Sequence, residues 1–171
     1  CLRQSSFVDT IYLLSTNGCT YPNCVTWSVD SLTSTKTIAQ IAAHSNAELS
    51  LIYTKYTPLE FGQYGIERFY HLATSANAGL LYSDYYELKN GIGSAVPTID
   101  YQLGSLRDDF NFGSVLVYNA AELKKAVERM TVEYAFAGLY DLRLKVSQSA
   151  LILRINEFLY TEVELDMRKS G

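Results

Sequence analysis

LSLIYTKYTPLEFGQYGIERFYHLATSANAGLLYSDYYEL, residues Leu49 to Leu88, holds the change of period that decides the fold. Leu49 to Thr54 is a short apolar run with the length and composition of a strand. Thr57-Pro58-Leu59-Glu60 then has the form of a helix start. Thr57 can accept from the third helical amide, Glu60 can reach back to the Thr57 amide, and Pro58 stands where a missing N–H costs nothing. The spacing predicts a helix running to about Ala76 that buries Leu59, Tyr64 or Ile66, Phe69, Leu72 and Ala73. Gly79 to Tyr85 follows as a strand, and Lys89-Asn90-Gly91 supplies a hairpin turn into a partner strand near Ala95 to Tyr101. Strand, helix, strand and hairpin in that order build an α/β layer.

Upstream, Val8 to Leu14 (VDTIYLL) reads as a strand that stops at the turn residues Ser15-Thr16-Asn17-Gly18. Cys24 to Leu32 alternates Val25, Trp27 and Val29 with polar positions, the period of a half-buried strand. A short amphipathic helix starts at Ser34-Thr35 and carries Ile38, Ile41, Ala42 and Ser45 at helical spacing. Downstream, Ser114 to Tyr118 reads as a strand, and Asn119-Ala120-Ala121-Glu122 opens a helix with Leu123, Ala126, Val127 and Met130 on one face. A further helix is expected from about Tyr134 to Val146. Leu151 to Ile155 and Phe158 to Leu165 close the chain as two strands. In the last of them Glu162, Glu164 and Asp166 alternate with Val163 and Leu165, the pattern of an edge or solvent-facing strand. With no internal repeat, low-complexity stretch or linker, residues 1–171 read as a single α/β domain with a mixed sheet flanked by helices.

Apolar residues make up 48% and charged residues 19% of the chain, enough to build a core and too apolar for disorder. No apolar run approaches the roughly 20 residues of a membrane span, and no basic-then-apolar leader precedes a cleavage site. Fourteen basic and eighteen acidic side chains give a net charge of −4, the wrong sign for a partner held mainly through nucleic-acid phosphates. Cys1, Cys19 and Cys24 with His44 and His71 make neither a zinc spacing nor a disulfide framework, so a reducing, cytoplasmic setting is expected. Cys19 and Cys24 could bridge the Tyr21-Pro22-Asn23 turn.

The chain has no phosphate-cradling Gly-Lys-Ser/Thr loop, dinucleotide fingerprint, His-Glu-x-x-His or Gly-x-Ser-x-Gly. What remains is a set of polar residues at predicted strand ends, where open α/β sheets bind ligands. Ser15, Thr16 and Asn17 end the first strand, Lys55 and Thr57 follow the third, and Ser83, Asp84 and Glu87 lie on or after the fourth. Six tyrosines, Tyr53, Tyr56, Tyr64, Tyr82, Tyr85 and Tyr86, crowd the same region and suit either core packing or stacking on a sugar or base.

Leu49 to Leu88, with its strand, Pro-Leu helix start and Tyr-Ser-Asp-Tyr strand, resembles the middle of a family 2 glycosyltransferase. Ala137 to Asp166 (AGLYDLRLKVSQSALILRINEFLYTEVELD) is similar to the segment around that family's catalytic acids, and VDTIYLLSTNG to its second strand and following turn. The resemblance spans most of residues 8 to 166 and implies a GT-A fold whose first strand would precede residue 1. It further implies a nucleotide-diphosphate sugar donor, a saccharide acceptor, a divalent cation (Mg²⁺ or Mn²⁺) on the phosphates and a carboxylate base. Where the family carries Asp-x-Asp, this chain has Tyr53-Thr54-Lys55, which cannot chelate a hard cation. Lys55 is then either an ammonium replacing the metal or a solvated loop lysine. Asp84 offers a single carboxylate. Gly138 and Leu139 stand where the acidic pair would be, which leaves Asp141 as the candidate base. Asp108 and Asp109 beside Arg107 form a second acidic cluster, on an acceptor-side loop or merely solvated.

The resemblance therefore implies a sugar transferase whose donor and acceptor contacts fall on Ser15, Thr16, Asn17, Lys55 and Asp84, with Asp141 as base. The alternative is a non-catalytic module that kept the fold and lost the metal ligands. A carboxylate-pair glycoside hydrolase needs two facing carboxylates about 5 to 10 Å apart, and the spacing of Asp84, Asp100 and Asp108 does not supply them.

Overall fold

In a computed structural model that describes residues 2, 5–102, 104 and 110–164, these periods become eight strands and four helices. In chain order they are β1 (Tyr12–Ser15), β2 (Val25–Ser28), α1 (Thr35–His44), β3 (Leu49–Tyr53), β4 (Leu59–Phe61), α2 (Gly65–Ala76), β5 (Leu80–Lys89), β6 (Ile92–Val96), β7 (Val115–Asn119), α3 (Ala120–Glu128), α4 (Gly138–Ser147) and β8 (Ile152–Glu164). The fold is α/β with a mixed sheet. Strands β3-β7-β5-β8-β4 lie in that order, β6 joins β5, and β1 and β2 form a separate parallel pair. In the large sheet β5 and β8 run parallel, and the other pairings are antiparallel.

Side chains alternate across the sheet and divide the core in two. On one face Leu80, Tyr82, Leu116, Tyr118 and Ile152 pack against Ile38, Ala42, Leu123, Leu142 and Val146 of α1, α3 and α4. On the other, Leu81, Tyr85, Val115, Val117, Ile155 and Tyr160 pack against Phe69 and Ala73 of α2. Ser34 caps α1 by accepting from the Thr37 amide, and Asn119 caps α3 by accepting from Ala121 and Glu122, both as their sequence signals imply. Asn90 and Gly91 both take positive φ, +52° and +78°, and make the hairpin turn.

Several boundaries differ from the sequence expectation. The Thr57-Pro58-Leu59-Glu60 stretch starts no helix: Leu59–Phe61 pairs with Tyr160–Glu162 as a short strand, and the buried Thr57 hydroxyl lies 3.0 Å from the Tyr53 hydroxyl. Leu59 and Phe61 pack on the core while Glu60 is exposed, so a period of two overrides the local capping signal. Helix α2 begins only at Gly65, where a Cβ would come within 2.6 Å of the Leu159 carbonyl. The two closing strands are one, β8, whose register against β5 shifts around Asp84 instead of breaking at Asn156-Glu157. β8 is also no edge, since β5 and β4 flank it and Glu162 is 1% exposed. The hairpin's second strand is Ile92–Val96, ended by Pro97, and the helix expected from Tyr134 begins at Gly138. Residues 131–137 instead lie along the start of α1, where the Thr35 amide donates to the Tyr134 carbonyl at 2.9 Å. Cys1, Arg107, Asp108, Asp109, Leu165 and Asp166 lie outside the described residues. None of the four helices is long and apolar enough to cross a membrane.

One core group stands out. The Tyr118 hydroxyl is fully buried and has no hydrogen-bond partner among the described residues, and burial pushes its phenol upward. Removing an orphaned polar atom while keeping the ring relieves its desolvation cost. Tyr118→Phe is therefore expected to raise folding stability by about 1 kcal/mol in urea titration, and a loss of that size would mean the hydroxyl has a partner.

Candidate functional site

Two clusters of paired charge lie on opposite faces of the large sheet. The first is on the helix-rich face, at Asp84. Along one side of β5, Leu80 and Leu81 pair with β7 and Tyr85 to Lys89 pair with β6, so Tyr82, Ser83 and Asp84 have no strand partner there. The sheet parts at that point, and the register shift against β8 falls at the same residue. Asp84, 1% exposed, fills the gap. Its Oδ1 accepts from the Thr98 amide at 2.8 Å and the Thr98 hydroxyl at 2.7 Å, and Arg154 Nη2 donates to Oδ2 at 2.8 Å. Arg154 also reaches Asp100 through Nη1 at 3.3 Å and Asn156 through Nη2 at 3.1 Å. Burial works to raise the Asp84 carboxyl, but Arg154 and Thr98 outweigh it and hold the group below its ordinary value. Beside this centre the Tyr82 hydroxyl donates to the Ile99 carbonyl at 2.6 Å, and burial pushes its phenol up to about 12. Tyr82, Tyr101, Phe110 and Phe112 pack in edge-to-face and tilted pairs from here toward α4, whose Arg143 lies 5.3 Å over the Phe112 ring.

The second centre is on the α2 face. Lys55 Nζ donates to Glu162 Oε1 at 2.6 Å and to Glu164 Oε2 at 2.9 Å, and the Ser114 hydroxyl donates to the other Glu162 oxygen. Glu87 completes the group: one carboxylate oxygen from each of Glu87, Glu162 and Glu164 lies within 4.8 Å of the others. Burial disfavours the Lys55 ammonium, but Glu162 and Glu164 outweigh it and hold the amine above its ordinary value. The Tyr160 hydroxyl accepts from the Ser114 amide at 3.0 Å, and burial pushes its phenol up to about 12.

The residues singled out from sequence are distributed accordingly. Lys55 and Asp84 do not face one hollow, because each is bound to partners on its own side of the sheet. Ser15, Thr16 and Asn17 form the turn after β1, where the Ser15 hydroxyl accepts from the Asn17 amide at 3.1 Å and the Ser15 carbonyl takes the Val29 amide at 3.0 Å. That contact sets the turn beside a shallow polar hollow between β2 and α1, lined in part by Asp30, Ser34, Lys36 and Thr37. Asp141 lies in the first turn of α4, 8% exposed, with Lys145 Nζ at 3.6 Å. The Gly138 amide binds the Thr33 carbonyl at 2.8 Å and so brings α4 against the start of α1. Ser15, Thr16, Asn17, Asp84 and Asp141 thus belong to the helix-rich side, and Lys55 to the other.

Arg154 and Thr98 are absent from the sequence reading, and Glu87, which it places with Asp84, joins Glu162 and Glu164 instead. The signal for Arg154 was there: one cation inside the apolar run Ile152-Leu153-Arg154-Ile155 must find a buried anion. A divalent cation does not fit where the resemblance implies one. Tyr53-Thr54-Lys55 offers an ammonium, Asp84 and Asp100 at the parting of the sheet already hold a guanidinium, and two of the three clustered carboxylates already hold Lys55. No protein-family model matches this sequence, and no curated protein matches it.

Proposed function

We propose that this chain is a glycosyltransferase-like domain of the GT-A type that binds a nucleotide-diphosphate sugar and transfers the sugar to a saccharide hydroxyl. The observation that carries the proposal is Asp84 with Arg154 where β6 and β7 part beside β5, since a buried carboxylate held below its ordinary value by a specific cation at a break in the sheet is a functional-site candidate. The mixed sheet and the resemblance over residues 8 to 166 supply the ligand class. In such a transfer the acceptor oxygen bonds to the sugar's anomeric carbon while the bond to the diphosphate breaks. The acceptor proton passes to a carboxylate, for which Asp141 is the candidate, and the diphosphate leaves with its charge. Arg154 is the cation nearest to Asp84 and replaces Lys55 as the group facing that charge.

One observation favours the second reading, a binding or assembly module without turnover. Lys55, Asp84 and Asp141 each already hold an opposite charge within the chain. A single experiment separates the two. Thermal shift with nucleoside diphosphates and their sugars, with and without Mn²⁺, is expected to raise Tm by about 5 to 10 °C near a hundredfold excess over Kd, whether or not Mn²⁺ is present. Asp84→Asn is expected to cut that shift by more than half. Release of free sugar or its transfer to an oligosaccharide, measured on the same samples, marks the enzyme, and binding without release marks the module. No shift with any member of the panel overturns the transferase and leaves the module.

A further inference from the structure

Four non-glycine residues among those described have left-handed backbone, and three of them are asparagines: Asn23, Asn77 and Asn90. Asparagine tolerates that conformation well, and a bulky aromatic does not. The fourth is Tyr64, at φ +61° and ψ +16°, where it begins α2. The turn that holds it has two glycines, and neither is used at the strained position. Gly65 is needed where it stands, because a Cβ there would come within 2.6 Å of the Leu159 carbonyl, whereas Gly62 would meet only ordinary contacts. The Tyr64 side chain repays none of this strain to the fold. It makes no capping hydrogen bond, has no ring partner among the described residues, and is 69% exposed.

A strained residue persists where the surrounding structure imposes it, and such residues cluster at ligand-binding positions. We infer that the Tyr64 ring is a stacking platform for a saccharide on the α2 side of the sheet. The surroundings select the ligand. Exposed Gly62 and Gln63 precede the ring, and one turn on, Arg68 holds Glu157 through Nε at 3.0 Å with both side chains about half exposed. One exposed ring flanked by amide, guanidinium and carboxylate groups is small for a protein-binding patch. It suits a sugar, which offers C–H bonds to a ring face and hydroxyls to the polar rim. The choice of ligand rests on the glycosyltransferase reading and adds to it a saccharide-holding position on the α2 face, across the sheet from Asp84 and Asp141 and so remote from the reacting hydroxyl.

The test uses the whole chain with cellotriose, maltotriose and chitotriose at millimolar concentration, followed by saturation-transfer NMR and calorimetry, beside the nucleoside diphosphate panel. Wild type is expected to bind at least one trisaccharide. Tyr64→Asn is expected to weaken that binding about tenfold or more while Tm stays level or rises, since asparagine removes the strain. Tyr64→Phe, which keeps the ring, is expected to bind within about twofold of wild type. Unchanged binding in Tyr64→Asn overturns the inference, as does a fall in its Tm, which would give the ring a structural role. Absence of trisaccharide binding overturns it as well. If nucleoside diphosphates bind in that case, only this inference fails; if neither ligand binds, the glycosyltransferase reading falls with it.

Discussion

Lys55→Met is expected to lower folding stability by about 3 kcal/mol at neutral pH, measured as a shift of the urea midpoint at constant m-value. Lys55 is one-third exposed, so its own loss is modest; the cost comes from Glu162, which is 1% exposed. Without the ammonium, Glu162 keeps only the Ser114 hydroxyl on one oxygen and faces the Glu164 and Glu87 carboxylates across less than 4.8 Å. Such a group takes up a proton more readily in the folded state than in the unfolded state. The variant should therefore regain stability as pH falls and its unpaired carboxyl takes up that proton. On the alkaline side the dependence reverses. The folded Lys55 amine titrates above its ordinary value, so its contribution is complete below about pH 10.4 and fades as pH rises through the folded value. Glu162→Gln should cost less, about 1 kcal/mol, because the amide still accepts from Ser114 and Lys55 keeps Glu164. The double variant should be more stable than Lys55→Met alone. A loss under about 0.5 kcal/mol for Lys55→Met would mean that water, not Lys55, screens the three carboxylates.

How much of this was legible in the sequence depended on how far apart the interacting residues lie. Asn90-Gly91 and the Ser34 and Asn119 caps act within four residues, and each was read correctly from its neighbours. Thr57-Pro58-Leu59-Glu60 carries an equally clear local signal that the fold overrides, because Leu59 finds its ladder partner at Glu162, more than a hundred positions on. The β8 carboxylates failed for the same reason. Their alternation suggests an exposed edge, yet Lys55, separated from Glu162 by 107 residues, neutralises the carboxylates on one face, and β4 takes the edge by pairing with β8. Asp84 was recognised by residue type, but its partners Thr98 and Arg154 lie 14 and 70 residues away. Periodicity alone reports which way a side chain points and cannot report which charge it will meet.

Arg154→Met is the counterpart on the other face, with an expected loss of about 3 to 5 kcal/mol at neutral pH. Asp84 is nearly inaccessible, and the change leaves it only the amide and hydroxyl of Thr98. The pH profile identifies the cause. In wild type the folded Asp84 carboxyl titrates below its ordinary value, so its contribution is present above about pH 3.9 and lost as pH falls through the folded value. Without Arg154 burial dominates, the carboxyl moves upward, and the difference between variant and wild type should narrow steadily toward acid pH. Asp100→Ala tests whether burial or the number of ion pairs sets the cost. Asp100 also binds Arg154 but is 79% exposed on its side chain, and its removal should change stability by less than about 0.5 kcal/mol. Because Thr98 tethers the chain leaving β6 to Asp84, Arg154→Met should also speed hydrogen exchange at the Thr98 amide ahead of global unfolding. An Arg154→Met protein with unchanged stability and a protected Thr98 amide would show that Thr98 alone can hold the charge. The parting of the sheet at Asp84 would then be a consequence of the β5–β8 register shift, with no part for Arg154 in holding it open.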